Sequence, residues 1–208
     1  MSKFDIKWIS EYFGDNKIGT VFDIGSHNGR DGLKIKRAQS NARVVSIEAD
    51  VKLYNKMLQK KELRDNLEIY NFAICDEDGY IDFYANSIDS KFLGSGSIHK
   101  PCEKIYKSWA GMKFDAPVKV KSIRIDTLCK ILNISNIDII HMDIQSAEYK
   151  ALIGLGELRP KMIFLEISLE NEKCYENSDV STSEKLTDMG YELKEKIAGD
   201  ALWIHKIQ

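Results

Sequence analysis

The stretch Val21-Phe22-Asp23-Ile24-Gly25-Ser26-His27-Asn28-Gly29 decides the fold. β-Branched and aromatic residues from Thr20 to Ile24 read as a short buried strand that runs directly into glycine. Glycine lets the backbone turn sharply and approach a ligand with no Cβ in the way, and the helix expected over residues 28–38 aims free N–H groups into the loop. Spacing discriminates between ligands. A dinucleotide loop of the form G-x-G-x-x-G would need glycine at 27 and 30, where His27 and Arg30 stand. The pattern is instead acidic-x-Gly-x-x-x-Gly. An acid before the turn is a poor neighbour for a pyrophosphate and a good one for a cationic group.

Working outward, residues 43–48 form a second strand that ends at Glu48, about 20 residues beyond the last glycine of the loop. That is where a ribose diol is held by paired hydrogen bonds. A nucleoside with a cationic amino-acid end and no phosphate is S-adenosylmethionine. The candidate cofactor-binding residues are Asp23, Gly25, Ser26, Asn28, Gly29, Glu48 and Ala49.

Further along, residues 51–61 read as helix and 67–74 as a third strand. A turn at Glu77-Asp78-Gly79 leads into an alternating stretch at 80–84. Periodicity then fails from 85 to 117, with Gly94-Ser95-Gly96-Ser97 in the middle. A long irregular stretch of this kind marks a substrate loop or lid, with Ser97, His99, Tyr106 and Trp109 as its candidate acceptor contacts. Residues 118–125 alternate as a strand, and Asp126 is placed to cap a helix over 127–132. Strands at 137–143 and 162–167 flank a helix at 146–155. A last helix at 183–189, closed by Gly190, precedes two strands, 191–197 and 202–207, joined at Gly199-Asp200. This alternation implies one α/β domain over residues 1–208, with a doubly wound, mostly parallel sheet and a C-terminal antiparallel hairpin. Ligands of such sheets sit beyond the carboxyl ends of the strands, where the winding reverses.

The strand at 137–143 brings His141-Met142-Asp143 to that rim, followed by Ile144-Gln145-Ser146-Ala147-Glu148. A strand-end acid facing the cleft can orient or deprotonate an acceptor hydroxyl, so Asp143 is the candidate catalytic residue, with His141 as a second, near-neutral base. Glu148 falls where the helix dipole favours a carboxylate without further duty. Glu166 sits in the apolar run Phe164-Leu165-Glu166-Ile167 near the same rim; with Asp143 it lacks the third ligand of a divalent-cation site, and no metal is expected.

The totals exclude other classes. Lys and Arg number 30 against 32 Asp and Glu, far from the basic surplus of a general nucleic-acid binder. The 208 residues suffice for a core without staples. No apolar run is long enough to span a bilayer, and the N-terminal residues lack the apolar core of a signal peptide. Cys75, Cys102, Cys129 and Cys174 are widely spaced, as expected of reduced thiols in the cytoplasm.

Taken together, Val21–Gly29, Ser46-Ile47-Glu48-Ala49, Ile125-Asp126-Thr127-Leu128, the block from Asp143 to Glu148 and Ile163-Phe164-Leu165-Glu166 resemble the FkbM family of S-adenosylmethionine-dependent methyltransferases. The resemblance implies the class I, Rossmann-like methyltransferase fold with seven strands, the last antiparallel, and O-methylation of a sugar, glycan or natural-product hydroxyl. It places Asp23, Gly25 and Gly29 at the methionine end of the cofactor, Glu48 at its ribose and Asp143 at the reacting centre. His141 stands where the family usually has Lys, Ser146 where it has Gly, and Ala49-Asp50-Val51 lacks a common proline. An amine acceptor and a non-catalytic partner-binding module are the alternatives.

Overall fold

In the computed structural model, residues 3–87, 89, 94–167, 175–176 and 181–206 are described. β1 (Thr20–Ile24) is buried on both faces, which is why its sequence is an apolar run and not an alternation. It lies at the centre of a sheet with β2 (Arg43–Ile47) and β3 (Glu68–Tyr70) to one side. To the other side lie β7 (Ile139–Met142), β8 (Met162–Glu166), β10 (Asp200–His205) and β9 (Tyr191–Ile197), in that order. The seven-stranded order is β3-β2-β1-β7-β8-β10-β9, and β10 alone runs antiparallel to its neighbours. The winding reverses between β1 and β7, so the carboxyl ends of those two strands flank the expected ligand position.

Alternating side chains divide the core into two layers. Val21, Val44, Ile139, Met162 and Phe164 pack under α1 (Lys7–Phe13), α2 (Arg30–Ala38), α3 (Val51–Gln59) and α4 (Lys61–Asn66). Phe22, Val45, Ile140, Met142 and Ile163 face α6 (Ile125–Ile131), α7 (Glu148–Ile153) and α8 (Thr182–Asp188). The N-terminal helix is tied to the C-terminal hairpin: Lys3 N donates to Asp200 Oδ2 (3.1 Å) and Trp8 Nε1 to Glu195 Oε2 (2.8 Å). No helix among the described residues is long and apolar enough to cross a membrane. Cys75, Cys102 and Cys129 are free thiols, and Cys174 lies outside the described residues.

Several boundaries differ from the sequence reading. The single strand expected at 67–74 is two: β3 stays in the main sheet, while β4 (Ala73–Ile74) joins β6 (Val118–Ile123) and β5 (Gly79–Phe83) in a second, three-stranded sheet. Asn71 makes the break, because its Nδ2 donates to the carbonyls of Glu48 (2.7 Å) and Ala49 (3.1 Å) and draws the chain across the end of β2. Asp126 does not cap its helix; α6 starts two residues earlier than expected, at Ile125, and Asp126 is held in a two-pronged ion pair by Arg124. Among the described residues of 85–117, α5 (Glu103–Ser108) is the one helix or strand. The helix expected from 146 opens only at Glu148, since Gln145 and Ser146 take positive φ values of 56° and 75°.

Candidate active site

An open cleft, about 530 Å³ with the solvent space at its mouth included, lies at the carboxyl ends of β1, β2 and β7. Gly25, Glu48, Ala49 and Asp143 line its polar side, and Leu53, Phe72, Ile74, Phe83 and Ala147 are among its apolar walls. Gly25, at φ 78°, is the point of closest approach: a Cβ there would lie 1.9 Å from the carbonyl oxygen of Asp143. The glycine thus permits the first loop and the rim after β7 to meet below the cavity.

Glu48 reaches this space from the end of β2 and is buried. Its Oε2 accepts from His27 N (2.7 Å) and its Oε1 from Asp50 N (2.8 Å), which fixes both oxygens at the cavity wall. Burial pushes its pKa up to about 7 despite those two donors. A carboxylate desolvated in this way gains from any further donor, such as the hydroxyls of a ribose.

The other expected cofactor residues shape the loop from behind. Asp23 is 1% exposed and does not line the cavity. Its Oδ1 accepts from His141 Nδ1 (2.8 Å), and its Oδ2 from Gly32 N (3.2 Å) and Ser46 Oγ (3.3 Å). The carboxylate expected to meet a cationic group is therefore turned into the protein, because strand alternation points it, with its register partner His141, under α2. Ser26 Oγ donates to Asp23 O (2.7 Å), Asn28 Oδ1 accepts from Arg30 N (3.1 Å) to open α2, and Gly29 is the residue before that helix, at φ 74°. None of these three lines the cavity.

His141, expected as a base, is 3% exposed and stacked on Phe164, with ring centroids 5.9 Å apart. Burial disfavours its charged form, but the hydrogen-bonded Asp23 carboxylate outweighs this and raises its pKa. The chain turns after Met142, so Asp143 reaches the rim while His141 stays one layer below it. Glu148 is a larger departure. The expected helix-end carboxylate is only 4% exposed, and its Oε1 accepts from Ile144 N (3.0 Å). Burial, then the nearby Glu166, pushes its pKa up to about 8.

Glu148 and Glu48 thus bind protons in the folded chain that unfolded carboxyls, near 4.5, have already released. Folding stability falls as pH rises through the folded values, between about pH 5 and pH 8. Denaturant unfolding should show the parent losing on the order of 6 kcal/mol across that window, about half of it through each group. Glu148→Gln, which keeps the acceptor for Ile144 N, should flatten the slope; an unchanged slope would show that Glu148 is ionised in the fold.

Described residues on either side of 88–93 reach the cavity. Gly94, Gly96 and Ile98 line it, Tyr84 and Ser97 pair in an isolated bridge between them, and a Cβ on Gly94 would lie 2.9 Å from the His27 ring. Ser97 Oγ donates to Gln145 O (2.7 Å), and Lys52 on α3 pairs with Asp115 (2.8 Å). The sequence reading had missed Leu53, Phe72, Ile74 and Phe83. Their only signal was an apolar side chain at or near the carboxyl end of a short strand or on an inward helix face.

The sheet order and the cavity at its switch point define the class I methyltransferase fold. Residues 23–193 match the family model described as the methyltransferase FkbM domain, and the chain belongs to that family. Family membership makes S-adenosylmethionine the cofactor, and the cavity fits it, with an apolar slot for a base, a buried acid beside it and a glycine floor. The chain is 27% identical over 159 residues to the 2-O-methyltransferase NoeI of Sinorhizobium fredii (strain NBRC 101917 / NGR234). That match covers 75% of this chain and 65% of the relative's length. Among solved structures, precorrin-6y C5,15-methyltransferase from Geobacter metallireducens GS-15 superposes with a TM-score of 0.52 at 10% identity, covering 98% of this chain and 88% of that one. The O-methyltransferase from Bacillus cereus in complex with SAH gives 0.51 at 12% identity, covering 95% and 77%. These two likenesses concern the fold.

Proposed function

We propose that the chain is an S-adenosylmethionine-dependent O-methyltransferase acting on a hydroxyl of a sugar, surface glycan or natural product. The observation that carries this reading is Asp143, held at the carboxyl end of β7 on the wall of the cavity that Gly25 and Glu48 also line. The name of the curated relative supports oxygen as the acceptor atom.

When bound, the cofactor supplies a methyl group on a positively charged sulfur. The chain supplies alignment and a proton acceptor. Glu48 and the apolar wall hold the nucleoside. Asp143 orients the acceptor hydroxyl and takes its proton on Oδ2, the oxygen that Gln145 does not engage. Asp23 and His141 brace the glycine loop from beneath. Residues 85–117 act as the lid that excludes water, and Tyr106 and Trp109, 45% and 44% exposed, offer ring faces to a sugar. The acceptor is a small molecule or glycan and not a nucleic acid, and the protein works in the cytoplasm.

Calorimetric titration with S-adenosylmethionine, S-adenosylhomocysteine and NAD tests the cofactor part, and radiolabelled methyl transfer to a panel of methyl glycosides tests the acceptor part. The first two ligands should bind, and both Glu48→Ala and Glu48→Gln should weaken them by at least about tenfold, since hydrogen bonds to a charged acceptor contribute roughly 1.5–3 kcal/mol each. A response to NAD alone would overturn the reading. Labelling of a protein amine instead of a glycoside would move the acceptor from oxygen to nitrogen.

A further inference from the structure

Gln145 carries two costs that its neighbours do not explain. It and Ser146 are consecutive non-glycine residues with positive φ, a conformation that disfavours each L-residue by roughly 1–2 kcal/mol. Helix α7 could have begun earlier without them. What the left-handed pair achieves is a reversal that brings the Gln145 side chain back over Asp143. There Nε2 donates to Asp143 Oδ1 (2.8 Å) and to Glu166 Oε2 (2.6 Å). Between two carboxylates only the NH₂ end of an amide can satisfy both, so the orientation of the side chain is dictated by its partners. The backbone of the same residue accepts from Ser97 Oγ (2.7 Å) and ties the rim to the covering segment.

We infer that Gln145 is the positioning residue of the transfer site, which clamps one oxygen of Asp143 to the end of β8 and leaves the other directed to the acceptor. This rests on the reading of Asp143 given above. The bridge is a neutral donor placed where two negative charges converge. It donates to both acids and adds no charge of its own, whereas an acid there would set a third carboxylate against the other two. The titratable groups facing Asp143 are Glu148 on α7, Glu166 on β8, Asp200 on β10, His141 on β7 and His27 in the glycine loop. All five are retained in the variants below.

The deciding readout needs no acceptor. Protein labelled with ¹³C at Asp carboxyls is titrated by NMR, with the Asp143 signal assigned through its loss in Asp143→Asn. Two variants are compared with the parent. Gln145→Asn tolerates positive φ but is too short to bridge both acids; Gln145→Glu keeps the shape and replaces the donor by a third acid. The Asp143 midpoint should move upward in both, by about one pH unit or more in Gln145→Glu, and the acid limb of the transfer profile should follow it. Midpoints that match the parent in both variants would overturn the inference, because a residue that merely shapes the loop leaves the titration unmoved. The two proposals separate cleanly. Shifted midpoints with full transfer by Asp143→Ala would keep Gln145 as the clamp and remove Asp143 as proton acceptor. A dead Asp143→Ala with unshifted Gln145 variants would do the reverse.

Discussion

Asp143→Ala is expected to slow methyl transfer by at least about a hundredfold while leaving the affinity for S-adenosylmethionine nearly unchanged, the usual scale for loss of a positioned proton acceptor. The asymmetry follows from where the residue stands. Asp143 lines the cavity at the rim after β7, whereas the proposed nucleoside contacts are Glu48, after β2, and the apolar wall. On the proposed reading, its removal takes away a contact with the acceptor and not with the cofactor's base or ribose. Asp143→Asn should be nearly as slow, since the amide fills the same space and hydrogen bonds but cannot take a proton at neutral pH. Single-turnover rates with bound cofactor, measured beside calorimetric affinities, check both statements. Equal losses in rate and in cofactor affinity would show that Asp143 helps build the cofactor site and would remove it from the chemistry.

Gly25→Ala should lower stability by at least about 3 kcal/mol, or roughly 10 °C in melting temperature for a chain of this size. Two effects add at this position. A Cβ must be accommodated at φ 78°, and it would lie 1.9 Å from the Asp143 carbonyl oxygen and 3.1 Å from Ile144 Cγ2. The first contact is with backbone, so no side-chain rotation relieves it, and the rim carrying Asp143 must move. Gly14→Ala is the control: its φ is 55° but nothing lies within 4 Å, so only the conformational cost of about 1 kcal/mol applies. Scanning calorimetry of the two variants separates overlap from backbone strain. If both melt alike, the close approach of Gly25 to the rim is not a constraint on the fold.

The central strands were legible in the sequence because they are short apolar runs bounded by glycine and acids, and burial on both faces leaves no other pattern. The spacing of Gly25, Gly29 and Glu48 was legible for a related reason, since few residue types tolerate a tight turn or a strand end beside a ligand. What could not be read was the direction of side chains within the loop. Asp23 was expected to face the cofactor, yet its hydrogen bonds run to His141, Gly32 and Ser46, partners distant in sequence. Glu148 had the signature of an exposed helix-end acid, and its burial depends on how α7 docks against the rim, which local pattern does not encode. The break at Asn71 likewise arises from two carbonyls at the end of another strand. Gln145 escaped notice because its role requires a left-handed backbone, and nothing about glutamine announces one.

The ties from Lys3 to Asp200 and from Trp8 to Glu195 set an order of events during synthesis. Within this chain helix α1 is made before its partners, some of which are the last strands in the sequence, and β10 must insert between β8 and β9 before that half of the sheet is complete. Until then Phe4 and Trp8, both buried in the finished protein, have no complete surface to cover, and the contacts they await are separated by nearly the whole chain. The nascent chain therefore carries an uncovered apolar helix from the synthesis of α1 until that of β9 and β10, and a holding chaperone would act there, well away from the cavity.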